Sequence, residues 1–209
     1  MTEALSSIKS YKTPLRYPGG KSRACKKMDP FFPDLRDYDA YYEPFLGGGS
    51  VALHITKKYP KLKIIVNDLY EPLYNFWLRL QVDGDYVHSQ LQQLKSRYPD
   101  RGSARGLFLD AKEKLYDLDV SDKDRAVCFY IINKCSFSGL TESSSFSEQA
   151  SDSNFSMRGI DKLPVYSKLI RNWYITNVDY KVLLGDKEKT FVYLDPPYDI
   201  KDNLYGKKG

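Results

Sequence analysis

The order of apolar and polar positions predicts strands and helices that alternate along much of the chain. Residues 41–43 lead into a proline, a Phe-Leu pair and three glycines, and residues 50–55 then begin a helix. This order is typical of a strand, a tight turn and a helix. Residues 62–66 are a β-branched run that ends at Asn67-Asp68 and predicts a second strand.

Helical spacing dominates the middle of the chain. Apolar positions over residues 71–81 predict one helix, and two further helix faces follow on Leu91, Leu94, Tyr98, Leu107, Ala111, Leu115 and Leu118. The apolar run at residues 127–132 predicts a buried helix. Residues 136–157 are rich in serine and almost free of aliphatic side chains, which predicts a long loop that is mobile or functional.

Two later runs complete the predicted sheet. Residues 173–177 predict a third strand, and residues 191–194 predict a fourth, apolar enough to be central, that two prolines stop. Strands that alternate with helices indicate an open, mostly parallel α/β sheet. The expected division is 1–82 and 166–209 for the sheet domain and 83–165 for a helical insertion.

Composition narrows the class of protein without fixing its function. Hydrophobic residues make up 42% of the 209 positions, enough for a packed core, and the net charge of +5 suits a polyanionic partner without establishing one. Eighteen tyrosines and ten phenylalanines offer rings that can stack on bases, although most are expected in the core. No run is apolar enough for a membrane helix or a secretory signal, so a cytoplasmic location is the default expectation.

The cysteines predict neither a metal site nor a disulfide. Cys25, Cys128 and Cys135 form no close-spaced pair, and the chain has only two histidines. Reduced, structural cysteines are therefore expected, and no zinc site is.

The glycine-rich segment after the first strand predicts a nucleoside-cofactor site. Glycines let the backbone turn sharply and approach a ligand, and the helix that follows presents free N–H groups. Asp68, about 20 residues further on, is placed to bind ribose hydroxyls. The spacing Gly47-x-Gly49-x-x-Ala52 also satisfies the dinucleotide fingerprint, so an NAD-dependent oxidoreductase and a merely structural turn both stay open at this point.

The Asp195-Pro196-Pro197-Tyr198 string indicates methylation of an amino group. It follows the fourth strand, and the carboxyl ends of parallel strands meet in one crevice, so it is expected beside the glycine turn. The Asp195 carboxylate and the Pro196 carbonyl can accept hydrogen bonds from an exocyclic amine, and Tyr198 can stack on an extruded base. A proline strand stop with a capping aspartate is the structural alternative. No cysteine follows a proline, which argues against thiolate attack on cytosine C5.

A third segment, Tyr17-Pro-Gly-Gly-Lys21, precedes a helical stretch. Its ring, glycine pair and lysine can close over a cofactor, with Lys21 near a carboxylate of that cofactor. By itself the string is better explained as a surface turn with a solvated lysine.

Taken together, these segments resemble the Dam-type, D12 class N6-adenine DNA methyltransferases. The resemblance implies a Rossmann-like methyltransferase sheet with a helical target-recognition insertion, S-adenosylmethionine as cofactor, and methyl transfer to adenine N6 in double-stranded DNA. It implies cofactor contacts at Tyr17, Lys21, Glu43, Phe45, Gly47, Gly49, Asp68 and Asp195. The implied catalytic residues are Asp195, Pro196, Pro197 and Tyr198.

The insertion carries the implied contacts to DNA. Residues 133–140 resemble the family's Asn-containing segment at the recognition domain, and the candidate DNA-binding residues are Lys134, Phe137, Ser138 and Arg158. Lys134, Arg158 and Lys162 are candidate phosphate contacts and are equally well explained as surface charges. Thr141-Glu142 stands where Dam members have a basic residue, which argues against recognition of GATC.

The end of the chain departs from the family as well. The family fold has three further strands after its catalytic motif, whereas this sequence stops at Gly209. The expectation is a C-terminally truncated, phage-like member that is a poor catalyst alone, either a fragment or a chain whose sheet a partner completes. A non-catalytic DNA-binding remnant is therefore a further alternative, and the oligomeric state and biological role stay open.

Overall fold

Four parallel strands form the sheet of this protein, for which a computed structural model describes residues 12–137, 144–185 and 188–197. The strands are β1 (Ala40–Glu43), β2 (Lys63–Asn67), β3 (Tyr174–Thr176) and β4 (Thr190–Val192), in the order β3-β2-β1-β4. All three neighbouring pairs run parallel. The prediction of an open, parallel α/β sheet is confirmed.

Strand β1 is the centre of the sheet. All four of its residues are buried, and it pairs with β2 on one side and with β4 on the other. Because the strands run parallel, the residues that follow β1, β2, β3 and β4 all emerge at the same edge. The predicted motifs follow β1, β2 and β4, so the topology alone brings them to one place.

Between residues 12 and 82, the described chain adds three helices to this sheet. They are α1 (Cys25–Met28), α2 (Ser50–Lys58) and α3 (Glu71–Val82), and two single 3₁₀ turns lie at Asp29–Phe31 and Leu35–Asp37. Helix α2 begins directly after the glycine turn, and α3 has a proline in its first turn, where the missing N–H costs no helical bond.

The predicted helical insertion between β2 and β3 is present. It comprises α4 (Gly84–Arg97), α5 (Arg101–Lys114), α6 (Asp122–Cys135), α7 (Glu148–Asn154), α8 (Met157–Ile160) and α9 (Leu163–Ile170). The predicted buried helix is α6, in which the last ten residues are all buried. A short helix, α10 (Tyr180–Leu183), follows β3. The residue boundaries proposed for the domains stay a prediction.

Two expectations for the insertion were wrong. Leu118 was assigned to a helix face, but α5 ends at Lys114 and the Leu118 side chain is exposed. The serine-rich segment 136–157 is not one long loop, because it contains α7 and the start of α8. Its serines act as N-caps: the Ser147 and Ser156 side chains accept hydrogen bonds from backbone N–H groups in the first turns of α7 and α8. Residues 138–143 lie outside the described part of the chain.

The fourth strand also differs from its prediction. It spans Thr190–Val192 instead of residues 191–194, and among the described strands it lies at the edge of the sheet. Val192 and Leu194 are both partly exposed to solvent. The apolar run predicted a strand that needs a neighbour on both sides, and within the described residues it has one neighbour, β1.

The core confirms what the sequence predicted for the aromatic side chains and the cysteines. Most of the aromatic side chains in the described ranges are buried in the core or pack against it, and the fully buried ones include Tyr41, Tyr42, Phe76, Trp77, Phe108, Tyr130 and Phe155. The three cysteines are buried and unbridged, and burial raises the pKa of Cys25 to about 11 and those of Cys128 and Cys135 to about 12. Within the described ranges, no helix has the length and apolar character needed to cross a membrane.

Candidate active site

A cleft at the carboxyl edge of the sheet contains most of the residues that the sequence singled out. The segments after β1, β2 and β4 line it together with the segment before α1. Predicted residues that line it are Tyr17, Lys21, Glu43, Phe45, Gly47, Gly49, Asp68, Asp195, Pro196 and Pro197. Tyr198 lies outside the described residues. Three motifs separated by up to 174 positions are therefore neighbours in the fold.

The glycine turn after β1 depends on two left-handed residues. Gly47 has φ +49° and Gly49 has φ +67°, values that glycine adopts without strain. The Gly49 N–H donates to the Leu46 carbonyl at 2.9 Å, and the Trp77 indole N–H donates to the Gly47 carbonyl at 3.1 Å. The turn is thus fixed from α3 as well as from its own backbone.

The same glycines make room for two aromatic rings. A Cβ on Gly47 would lie 2.7 Å from Cε1 of Tyr17, and one on Gly48 would lie 2.9 Å from the Tyr17 Cβ. A Cβ on Gly49 would lie 2.7 Å from Cζ2 of Trp77. The sequence attributed these glycines to a ligand. The structure adds that no side chain fits between the turn and the Tyr17 and Trp77 rings.

Asp68 links the ends of β1 and β2. Its Oδ2 accepts the Gly47 N–H at 2.8 Å, and its Oδ1 accepts the Tyr70 N–H at 3.0 Å. Burial raises the pKa of Asp68 to about 6, while these two backbone bonds act in the opposite direction. A carboxylate offers about four lone-pair sites, so Asp68 can hold the turn and still accept hydroxyl groups of a ligand.

Glu43 is the most deeply buried carboxyl group of the cleft, with 3% of its surface exposed. Burial raises its pKa to about 8, and the negative charge of Asp195 acts in the same direction. The Tyr41 hydroxyl donates to Glu43 Oε2 at 2.7 Å and partly offsets this effect. Burial without a cationic neighbour therefore favours the protonated form of Glu43.

Lys21 pairs with the aspartate of the fourth-strand motif. Its Nζ lies 2.5 Å from Asp195 Oδ2 and 3.0 Å from the Gly19 carbonyl oxygen, to which it donates. Both side chains of the ion pair are about a quarter exposed, at 25% and 23%. Lys21 was predicted near a cofactor carboxylate, and the structure places its ammonium against a carboxylate of the protein.

Aromatic and apolar groups form the remaining wall of the cleft. The rings of Phe45 and Tyr180 meet with their centroids 5.0 Å apart and an interplanar angle of 47°. Three carboxyl groups, one ammonium and this aromatic wall suit a ligand that joins an aromatic base, hydroxyl groups and a cationic centre.

The candidate DNA-binding residues are spread over the insertion. Phe137 is 66% exposed directly after α6, and Arg158 is exposed on α8. Lys134 is only 9% exposed, its Nζ lies 5.2 Å from the Tyr130 ring centroid, and burial lowers its pKa to about 8. Ser138 lies outside the described residues. A phosphate contact by Lys134 stays a prediction, and it would require the buried amine to reach the surface.

Sequence reasoning missed the groups that hold the site together. The buried Asn67 amide donates to the carbonyls of Pro44 (3.1 Å) and Val178 (3.0 Å), and its Oδ1 accepts from the Val178 N–H at 3.0 Å. It thereby joins the segments that follow three strands. Only its position at a strand end hinted at this role, since its partners are distant in sequence. Tyr180 gave the same weak signal, because it follows β3 at the cleft edge.

Comparisons with known proteins agree with this geometry. Residues 17–208 match the model of the D12 class N6 adenine-specific DNA methyltransferase family. The chain is 26% identical to the type II methyltransferase M.MjaIII of Methanocaldococcus jannaschii over 204 residues, 88% of this chain and 68% of that protein. It is 25% identical to the modification methylase StsI of Streptococcus sanguinis over 223 residues, 98% of this chain and 32% of that protein.

The family match spans all three motifs of the cleft and the insertion between them. The nicotinamide interpretation of the glycine spacing gains no support from it. The chain belongs to the D12 class of N6 adenine-specific DNA methyltransferases.

Proposed function

We propose that the cleft binds S-adenosylmethionine together with an adenine extruded from double-stranded DNA, and that it directs methyl transfer to the adenine N6. The observation that carries the proposal is the meeting of Asp195 with the glycine turn and Asp68 in one cleft. A nucleoside-binding turn alone fits many cofactors. An acceptor motif suited to an amino group, placed beside that turn, favours amino methylation.

The residues of the cleft fit this cofactor. Asp68 is placed to accept the ribose hydroxyls, and the rings of Phe45 and Tyr180 offer apolar surface to the cofactor base. Glu43 is the group best suited to a bound ammonium, because a buried carboxyl with a pKa of about 8 gains most from a cationic neighbour. The cofactor supplies an electrophilic methyl group on a sulfonium centre.

The role proposed for Asp195 is that of a hydrogen-bond acceptor. The N6 lone pair of adenine is delocalised into the ring, so acceptors on its two N–H groups favour the pyramidal nitrogen that attacks. Asp195 and the Pro196 carbonyl are the two acceptors. Bound S-adenosylmethionine would supply the methyl group, and the Asp195 carboxylate would accept the proton that N6 loses and pass it to solvent. The pairing of Asp195 with Lys21 is compatible with this role, because a carboxylate accepts several hydrogen bonds.

The helical insertion, residues 83–165, is the proposed DNA-binding part. A base must leave the double helix to reach the cleft, and Tyr198 is the proposed stacking partner of that base. Phe137, Ser138 and Arg158 are proposed contacts to DNA, on the basis of the exposure of Phe137 and Arg158. A recognised sequence other than GATC is expected, because Thr141-Glu142 stands where Dam members have a basic residue.

The test is a methyl-transfer assay with S-adenosylmethionine carrying a labelled methyl group and duplex DNA of mixed sequence. Nucleoside analysis should find the label in N6-methyladenine and not in methylated cytosine. Sequencing of the product then gives the recognised site. A folded protein that binds DNA but incorporates no label would favour the non-catalytic alternative. Calorimetric binding of NAD instead of S-adenosylmethionine would return the glycine turn to the oxidoreductase interpretation.

A further inference from the structure

A buried amide joins the insertion to the segment that opens the cleft. Asn133, in the last turn of α6, is 3% exposed. Its Oδ1 accepts the Arg16 backbone N–H at 2.9 Å, and its Nδ2 donates to the Arg16 backbone carbonyl at 2.6 Å. One side chain thus pairs with both polar groups of one residue, as a neighbouring strand would, and we call this contact the Asn133 clamp.

The clamped residue directly precedes Tyr17. The Tyr17 ring packs against Gly47 and Gly48 so closely that neither glycine leaves room for a Cβ. The Tyr17 carbonyl accepts the Gly20 N–H at 3.1 Å, which folds the chain back toward Lys21. A displacement of the Arg16 backbone would therefore move both the ring beneath the glycine turn and the ammonium that pairs with Asp195.

Arg16, the residue that Asn133 holds, also contacts the segment that is proposed to bind DNA. The Arg16 guanidinium donates from Nη1 to the Ser136 carbonyl at 2.7 Å. Ser136 forms an antiparallel bridge with Phe146, and the Phe137 N–H donates to the Ser145 carbonyl at 3.1 Å. We call these paired residues, 135–137 and 144–147, the hairpin base.

The hairpin base, the clamp and the glycine turn thus form a continuous chain of hydrogen bonds and close contacts. Ser136 and Asn133 are both buried, and α6 is packed along its whole second half. Close-packed groups transmit displacements because they have little free volume in which to absorb them.

From this geometry we propose that Asn133 is a positioning residue through which DNA binding and cofactor binding strengthen one another. The inference rests on the proposed function, since it assumes that the cleft takes S-adenosylmethionine and that the insertion takes DNA. DNA that binds the hairpin base holds Ser136 and its partner Arg16 in the arrangement seen here, and Arg16 in this position keeps Tyr17 against the glycine turn. By linkage, the cofactor must then raise the affinity for DNA by the same factor.

The experiment measures the dissociation constant of S-adenosylhomocysteine, a cofactor product that cannot react, with and without a saturating duplex of mixed sequence. For the natural sequence, we expect the duplex to tighten binding about tenfold, within the range usual for coupled sites. For Asn133→Ala, we expect that ratio to fall to within about twofold of unity. The affinity for DNA measured with and without S-adenosylhomocysteine should change by matching factors.

Asn75→Ala is the matched control. Asn75 is a buried asparagine on α3. Its Nδ2 donates to the carbonyl of Asp122, the first residue of α6, at 2.7 Å, so this bond lies at the end of α6 opposite to Asn133. Both variants should lose thermal stability, but only Asn133→Ala should lose the coupling ratio. If Asn133→Ala does not fold, Arg16→Met removes the bond to Ser136 while it leaves the Asn133 clamp in place, and an intermediate ratio is expected.

The outcomes separate the two proposals. A natural protein that binds neither S-adenosylhomocysteine nor duplex DNA contradicts the proposed function itself. Binding of both with a ratio near unity overturns the coupling alone. The coupling through Asn133 is also refuted if Asn133→Ala keeps the full ratio, or if Asn75→Ala loses as much of it.

Discussion

The glycine turn and the hairpin base are fixed in different ways. The turn is held by Tyr17, Trp77 and Asp68, which come from three separate segments. The hairpin base is held by backbone bonds between its own two segments and by contacts from Arg16, Lys112 and Phe108, and it presents an exposed Phe137. A site that must align reacting atoms is held by contacts from several segments that are distant in sequence. A surface that must adapt to DNA is held only where it joins the rest of the fold. Substitutions in the two regions should therefore affect different measurements.

The largest effect is expected at the chemical step. Asp195→Ala removes the proposed acceptor on N6, so the rate of methyl transfer should fall about 10²- to 10⁴-fold. Affinity for duplex DNA should stay within about twofold, because phosphate contacts dominate it. Single-turnover kinetics and a filter-binding titration measure the two quantities. Asp110→Ala, at an exposed position on α5, is the control. Near-normal turnover by Asp195→Ala would remove Asp195 from the catalytic site.

The next largest effect is expected on stability and cofactor affinity when the close packing of Tyr17 against the glycine turn is disturbed. The Cβ of Gly48→Ala would lie 2.9 Å from the Tyr17 Cβ, so the variant should lose about 1–3 kcal/mol of stability. Cofactor affinity should weaken by about tenfold, the equivalent of 1.4 kcal/mol. Denaturant unfolding and calorimetry measure these changes.

Gly106→Ala provides the contrast within the same protein. A Cβ at Gly106 meets nothing within 4 Å, and the residue lies inside α5. This variant should gain about 0.5–1 kcal/mol of stability, because alanine favours the helix, and its cofactor affinity should not change. Equal behaviour of the two glycine variants would show that the Tyr17 contact is not restrictive.

The buried Glu43 predicts a dependence of stability on pH. Its folded-state pKa of about 8 lies above the ordinary value of 4.5, so the folded protein retains a proton that the unfolded chain releases between these values. The contribution of Glu43 to stability is therefore fully present below pH 4.5 and is lost as pH rises toward 8. The largest slope for one group is about 1.4 kcal/mol per pH unit.

The Glu43→Gln variant isolates the contribution of Glu43 to this dependence of stability on pH. Between pH 6 and pH 8, above the pKa of about 6 of Asp68, its free energy of unfolding should fall less steeply with pH than that of the natural sequence. Urea unfolding at three pH values in this window measures the difference. Parallel pH profiles for the two proteins would mean that Glu43 is ionised in the folded state.

The smallest effect is expected on the DNA side. Arg158→Gln should weaken binding to duplex DNA a few-fold and lower the dependence of log K on log salt by about one unit, if its guanidinium meets a phosphate. Affinity for S-adenosylhomocysteine alone should stay constant. Lys61→Gln is the control, since Lys61 is exposed before β2, at the opposite edge of the sheet. An unchanged salt slope would return Arg158 to the ordinary surface charges.

The sequence predicted the residues of the cleft more completely than the contacts that hold those residues in place. The parallel sheet and the meeting of Glu43, Asp68 and Asp195 followed from strand ends, because parallel topology brings such ends together. The Asn133 clamp could not be predicted, because its two partners are 117 positions apart and hydrogen-bond geometry has no period in sequence. Leu118 was misplaced because an apolar residue at helical spacing is also common just beyond a helix end.

The contact between Trp77 and the glycine turn also gives the protein an optical signal of its own. The chain has two tryptophans, and the Trp77 and Trp173 rings lie 5.7 Å apart by their centroids. Excitation absorbed by either indole can migrate to the other, and the Trp77 indole is hydrogen-bonded to the backbone that would face the cofactor. A charged ligand at that backbone changes the electric field across the ring, so its arrival should shift the emission of the unlabelled protein. With Trp173→Phe the emission would come from Trp77 alone, and ligand capture could be followed in a stopped-flow instrument without a dye.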